Sequence, residues 1–278
     1  MHRNPADATD LFTSHQQPAT SHALLDFRNI SVMRGTTTVL HDITLRIQAG
    51  EHAAILGPNG CGKSTLIKTI TRECYPLARA ESSLTILGQQ SWNVFELRTL
   101  LGIVSNDLMS TCTRDITGIE VVLSGFFSSI GIQPYHHVTA PLVKKAREVL
   151  DLLEVPHLAD RFMTEMSSGE GRRILIARAM VHNPLALLLD EPSNSLDVSA
   201  TLELRSLLRK LAQAGTGILV VTHHLPDIIP EIGRVILLKN GRVFADGEKM
   251  DLLTTERIGE LFGVPVEIGR RDGYYHLW

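Results

Sequence analysis

Residues 57–65 read Gly-Pro-Asn-Gly-Cys-Gly-Lys-Ser-Thr, and no other stretch limits the fold so severely. Glycine, four residues, glycine, lysine and a hydroxyl from Gly57 to Ser64 match a phosphate-cradling loop (Walker A), provided that a strand enters it and a helix leaves it. Both are predicted. Ala53-Ala54-Ile55-Leu56 reads as a buried strand and Leu66-Ile67-Lys68-Thr69-Ile70 as the helix. Glycines 57, 60 and 62 are expected to take positive φ and to let backbone N–H groups reach phosphate oxygens that a Cβ would block. Pro58, Asn59, Cys61 and Thr65 complete the cradle. Lys63 adds a point charge on the β- and γ-phosphates and Ser64 a hydroxyl for magnesium, with the helix N-terminus behind them. The chemistry implied is binding of a nucleoside triphosphate with Mg2+.

Composition narrows the partners. With 278 residues, 44% hydrophobic and 21% charged, the chain is ordinary for a soluble globular protein of one large α/β domain or two small ones. A formal net charge of -3 gives no electrostatic case for nucleic acid, so no direct contact with it is expected. Cys61, Cys74 and Cys112 lack C-x-x-C spacing, which argues against disulfides and a structural zinc site. The most apolar stretch outside the short strands, 119–132, is interrupted by Glu120, Ser124, Ser128 and Ser129 and is too short to span a bilayer. If the protein works at a membrane, another chain supplies the span.

Along the chain, residues 1–24 are rich in Ser, Thr, His, Gln, Ala and Pro and read as a disordered tail without the apolar core of a signal peptide. Order is expected over 25–278. Residues 25–32 and 39–47 read as strands about a turn at Gly35, and 84–87 and 101–104 as short strands. From about 107 to 168 the pattern is helical, clearest at 141–153, where Leu142, Ala146, Val149, Leu150 and Leu153 form one stripe behind Thr139. Residues 185–189 and 217–221 are continuous apolar runs, as in strands buried on both faces of a parallel sheet, with a helix over 198–214 between them. The C-terminal strands and helices, about 233–278, include 235–238 and 242–245 flanking an Asn240-Gly241 hairpin turn, and a last strand at 274–278.

A second chemical element is Leu187-Leu188-Leu189-Asp190-Glu191, a strand ending in two carboxylates. Asp190 is placed to hold magnesium and Glu191 to polarise the water that attacks the γ-phosphate. The phosphate loop, Met166-Ser167-Ser168-Gly169-Glu170, residues 187–191, Ser193-Asn194-Ser195-Leu196-Asp197 and Val221-Thr222-His223 follow one another as in the ATP-binding-cassette (ABC) ATPases, which the chain resembles over residues 25 to 250. More weakly, 121–127 and 221–224 resemble the molybdate-transport-like and photorepair-like branch of that family.

The resemblance implies an α/β fold: a P-loop nucleoside-triphosphatase core with a mostly parallel central sheet, an antiparallel β subdomain and an all-helical insertion. It implies ATP and Mg2+ as cofactors, and a homodimer in which ATP lies between the phosphate loop of one copy and the signature loop, here Ser167 and Gly169, of the other. Lys63, Glu191 and His223 become the catalytic set, His223 orienting the attacking water. Met166, Ser168 and Glu170 depart from the usual signature Leu-Ser-Gly-Gly-Gln. Glu170 brings negative charge close to a triphosphate; Ser167 also reads as a helix cap with Glu170 at the capping-box position, a role compatible with the first. Met33 stands where an aromatic ring usually stacks on adenine, and Asn106 where a glutamine usually contacts magnesium and senses the transmembrane partner; Ser105 and Asp107 are the neighbouring registers. Cys61 is either activated by the adjoining helix N-terminus and lysine or an inert small residue. His136-His137 reads as a solvated loop, and Phe126-Phe127 as core packing or a docking surface.

The function that follows is an ATP-hydrolysing subunit, cytoplasmic and peripheral on the inner face of the cell membrane, that powers transport through a separate integral membrane permease. A soluble ABC ATPase in a regulatory or repair assembly is the alternative. A binding module without turnover is disfavoured by intact Lys63, Ser64, Asp190, Glu191 and His223.

Overall fold

The protein is described by a computed structural model over residues 23–278. The chain divides into two compact units: residues 23–97 join Gly217–Trp278 in a discontinuous unit, and Arg98–Thr216 forms an inserted one. The tail expected at 1–24 lies outside the described residues, apart from Ala23 and Leu24, which are buried in the first strand.

The discontinuous unit begins with a three-stranded antiparallel sheet. β1 (Ala23–Arg34) pairs on one side with β2 (Thr37–Gln48) and on the other with a later strand. The alternation read in β2 is realised as buried Ile43, Leu45 and Ile47 against exposed Thr44, Arg46 and Gln48. β3 (Ala53–Leu56) is buried throughout and feeds α1 (Lys63–Ile70). β4 (Ser83–Ile86) closes the antiparallel sheet, and α2 (Val94–Leu100) follows.

The inserted unit sets β5 (Leu101–Val104) before α3 (Asn106–Cys112), α4 (Gly118–Ser124), α5 (Ala140–Leu152) and α6 (Ser168–Met180). It then closes with β6 (Ala186–Asp190), parallel to β5, and α7 (Val198–Gln213). No strand interrupts 107–168. The α5 stripe is buried at Ala146, Val149 and Leu150, while α6 is buried nearly all round, including Ile174, Leu175, Ile176 and Ala177. A core helix of this kind has no polar face to balance its apolar one. Phe127 stacks on His136 with centroids 4.3 Å apart, and Phe126 meets His182 edge-on at 5.3 Å. The two phenylalanines thus pack locally, and His136 Nδ1 accepts from the Gln133 N–H at 3.1 Å.

The chain returns to the discontinuous unit through β7 (Gly217–Thr222), β8 (Arg234–Lys239) and β9 (Arg242–Glu248). β3 lies between β7 and β8, parallel to both, and β9 runs antiparallel to β8 about the Asn240-Gly241 turn. Unbroken burial of β3 and β7 accounts for their apolar runs. At the start of β8, Arg234 makes a bidentate pair with Asp246, both contacts at 2.7 Å, and reaches Glu51 at 2.9 Å. α8 (Lys249–Leu252), α9 (Thr255–Phe262) and a hairpin of β10 (Ile268–Arg271) and β11 (Tyr274–Leu277) end the chain. The last strand was expected, and helices were expected in this region without bounds, which α8 and α9 supply; the partner strand β10 and helix α2 were not expected.

Candidate functional site

In the discontinuous unit the phosphate loop spans the turn from β3 to α1. Gly60 and Gly62 have φ of 78° and 108°, as expected, but Gly57 does not take positive φ. Its requirement is steric: a Cβ there would sit 2.3 Å from the Leu238 carbonyl oxygen and 2.7 Å from Cys61 Sγ. The Cys61 side chain is therefore buried beneath the loop. Lys63 is 6% exposed and donates from Nζ to the carbonyls of Gly57 at 2.7 Å and Pro58 at 3.1 Å, so its ammonium spans the loop. Ser64 is exposed in the first turn of α1, and Asn59 is exposed at the loop tip. Gly241 ties the β8–β9 turn to the loop, its N–H donating to the Cys61 carbonyl at 2.9 Å while its own carbonyl accepts from the His41 N–H at 2.8 Å. Met33 is half exposed near the end of β1. Its neighbour Val32 pairs with Leu40, whose side chain abuts Gly62, so this edge of the sheet borders the loop.

Thr222, at the end of β7, brings His223 to the same loop. Its carbonyl accepts from the Gly57 N–H at 3.2 Å. Its hydroxyl donates to buried Asp227 at 2.6 Å and accepts from the His224 N–H at 3.0 Å. The rings of His223 and His224 lie 3.8 Å apart. Sequence reading assigned no role to Thr222 or Asp227. A carboxylate five residues after a strand-end threonine was the available signal.

The inserted unit carries the carboxylates. Asp190 ends β6 half-buried, and Glu191 follows at φ 47°, a left-handed conformation uncommon for a residue with a Cβ. Ser195 is left-handed too, at 63°. Ahead of α6, Ser167 and Glu170 form the expected capping box: Ser167 Oγ accepts from the Glu170 N–H at 3.2 Å, and Glu170 Oε2 accepts from the Ser167 N–H at 2.8 Å. Arg161 binds the other Glu170 oxygen at 2.9 Å. Hydrogen bonds from Ser167, with Arg161 adding to them, hold the Glu170 carboxyl below its ordinary pKa. The charge of Glu170 is thus directed to the cap and to Arg161.

Asn106 is the first residue of α3, behind Ser105, whose hydroxyl accepts from the Leu108 N–H at 3.2 Å. Its Oδ1 accepts from buried Arg172 on α6 at 2.8 Å. Arg172 was not singled out from the sequence, where nothing separates it from Arg173.

Strand, loop and helix together define a P-loop fold. Residues 40–194 match the family described as "ABC transporter". The uncharacterized ABC transporter ATP-binding protein YlmA of Bacillus subtilis is 31% identical over 250 residues, covering 88% of this chain and 93% of the relative. The hemin import ATP-binding protein HmuV of Aliivibrio fischeri is likewise 31% identical, covering 87% and 92%. Among solved structures, the ATP-binding cassette MJ0796, dimeric in a post-hydrolysis state bound to ADP and Pi, superposes with a TM-score of 0.66 at 27% identity, covering 81% of this chain and 98% of that one. The chain belongs to the ABC transporter family and is one of its ATP-hydrolysing ATP-binding proteins. Among the described residues no helix is long and apolar enough to cross a membrane.

Proposed function

We propose that two copies associate head to tail, each holding ATP on its phosphate loop against Ser167 and Gly169 of the other, and that hydrolysis drives transport through a separate membrane permease from the cytoplasmic side. The observation that carries this is the exposed start of α6. Ser167 and Ser168 are exposed there, and the helix dipole points its positive end outward. Val198 and Leu202, one turn apart on α7, are 78% and 58% exposed and offer an apolar rim. The dimeric cassette among the structural relatives supports the same association.

In this reading the N–H groups of residues 60–65 and Lys63 bind the β- and γ-phosphates. Met33 borders the base. Magnesium, when bound, neutralises charge on those phosphates, held by Ser64 and Asp190. Both present oxygen donors suited to a hard cation. Asn106, expected as a third ligand, is given a different role: a guanidinium at 2.8 Å from its carbonyl oxygen is a poor neighbour for a divalent cation. Glu191 takes a proton from water as the water's oxygen attacks the γ-phosphorus and the bond to the β-bridging oxygen breaks. His223, fixed through Thr222, orients that water.

Replacing Glu191 with Gln is expected to lower the ATPase kcat by about 10²- to 10⁴-fold with ATP binding retained; turnover near wild type would remove Glu191 as the base. Recovery of a polytopic membrane protein with the tagged chain is expected. Its consistent absence would favour the soluble assembly instead. The hemin-import relative makes bulky metal chelates the first substrates to test.

A further inference from the structure

We propose that Ser168 and Arg172 are positioning residues that hold the Glu191 loop in its working conformation from the signature helix of the same chain. The proposal rests on Glu191 as the base. It also turns a departure from the family pattern into a device, since the glycine usual at position 168 has no hydroxyl to give.

The loop after β6 contains two left-handed residues with side chains, Glu191 and Ser195. Such conformations persist where the surroundings hold them. Within the loop, the Asn194 N–H donates to the Glu191 carbonyl at 3.1 Å and the Leu196 N–H to the Ser193 carbonyl at 3.1 Å. Asp197 then caps α7, its carboxylate accepting from the Ala200 N–H at 2.8 Å. These bonds shape the loop but leave the outward carbonyls of Asn194 and Ser195 to other partners.

Both carbonyls are met by α6. Residues 168 and 172 are four apart and so lie on one face of that helix. Ser168 Oγ donates to the Ser195 carbonyl at 2.9 Å. Arg172 Nη2 reaches the Asn194 carbonyl at 3.5 Å and Asn106 Oδ1 at 2.8 Å. Arg172 is 3% exposed, so its contacts are shielded from water and its side chain has little room to reorient. Between the two, Gly169 lies so close to α7 that a Cβ would approach Ala200 Cβ to 2.7 Å. The signature loop, the start of α7 and the Glu191 loop are therefore tied to one another by direct contacts.

The consequence is a coupling. Ser167 and Gly169 contact the γ-phosphate held by the other copy, while Glu191 serves this copy's own nucleotide. Through Ser168 and Arg172, closure on one ATP sets the base for the second. Asn106 extends the latch to the loop after β5.

The test compares Ser168→Ala, Ser168→Thr, Arg172→Gln and Glu191→Gln in the full chain, by steady-state ATPase, ATP titration and thermal melting. Ser168→Ala is expected to lower kcat about three- to tenfold, the scale of one lost hydrogen bond, with KM within twofold. The Hill coefficient for ATP should fall toward one. Ser168→Thr should restore both, and Arg172→Gln should lower kcat further. Because Ser168 is exposed, its variants are expected to melt with the wild type, so they decide the matter if Arg172→Gln fails to fold. Wild-type kcat and Hill coefficient in Ser168→Ala, alongside an inactive Glu191→Gln, would overturn the latch. A rise in KM alone would also overturn it, since that is the mark of a residue that only binds nucleotide. An active Glu191→Gln would instead overturn the base assignment.

Discussion

Gly241 shows how one backbone position supports the phosphate loop from a distance in sequence. Its φ is 72°, and a Cβ would stand 2.1 Å from the Val39 carbonyl oxygen. Gly241→Ala should destabilise the protein by about 1–3 kcal/mol, read by chemical denaturation, and weaken ATP binding because the backbone shift that relieves the clash draws the residue 241 N–H away from the Cys61 carbonyl. The sequence flagged this residue as a turn former and nothing more. Local patterns report the conformation a residue prefers, whereas Val39 arrives from a different strand. Gly57 is the same lesson in reverse: positive φ was expected, and an approaching carbonyl of β8 is the actual reason for glycine. Cys61 lies under the loop and Cys74 is half-buried, so maleimide should label Cys74 first and Cys61 only as the protein opens. Rapid labelling of Cys61 in the folded protein, followed by mass spectrometry, would contradict its packing role.

The capping box sets the stability of α6. Ser167 and Glu170 satisfy each other's backbone N–H groups, and Arg161 adds charge to the pair. Glu170→Gln should cost about 0.5–2 kcal/mol at neutral pH. Because the folded carboxyl titrates below its ordinary range, this difference is complete above the unfolded value and is lost as pH falls through the lower folded one. Urea titrations of both proteins from pH 7 to pH 3 should therefore converge at the acid end. A constant gap would mean that the charge is not involved. This cap was legible in the sequence, as were β2, β3, β5, β7 and α5, where period and length agree. Helices α2 and α8, of seven and four residues, were not, being too short for a period to emerge. The Asn106–Arg172 bond joins residues 66 apart and leaves no trace in local pattern.

As a whole molecule, the protein is expected to be active only as a pair. At low enzyme concentration the specific ATPase activity should rise with concentration, and Glu191→Gln with ATP should elute at twice the monomer mass. Activity independent of dilution, from a species that stays monomeric with ATP, would refute the composite site. The order of motifs made the family legible, since each motif has a mechanical part to play and chance rarely sets five of them in sequence.

The discontinuous unit also carries a timing problem. His52, which enters β3, accepts from the N–H of Ile218 in β7, a partner 166 positions later. Both neighbours of β3 lie beyond the inserted unit. At roughly 5–20 residues per second, a ribosome that has finished the phosphate loop needs on the order of ten seconds or more to deliver the strands that flank it. For that interval a fully apolar strand waits without a sheet, while the helical insertion, rich in local contacts, has everything it needs to form. The part of the chain most diagnostic of its chemistry is thus among the last to acquire a shape, and the nascent protein is most open to chaperone capture or aggregation before β7 and β8 emerge.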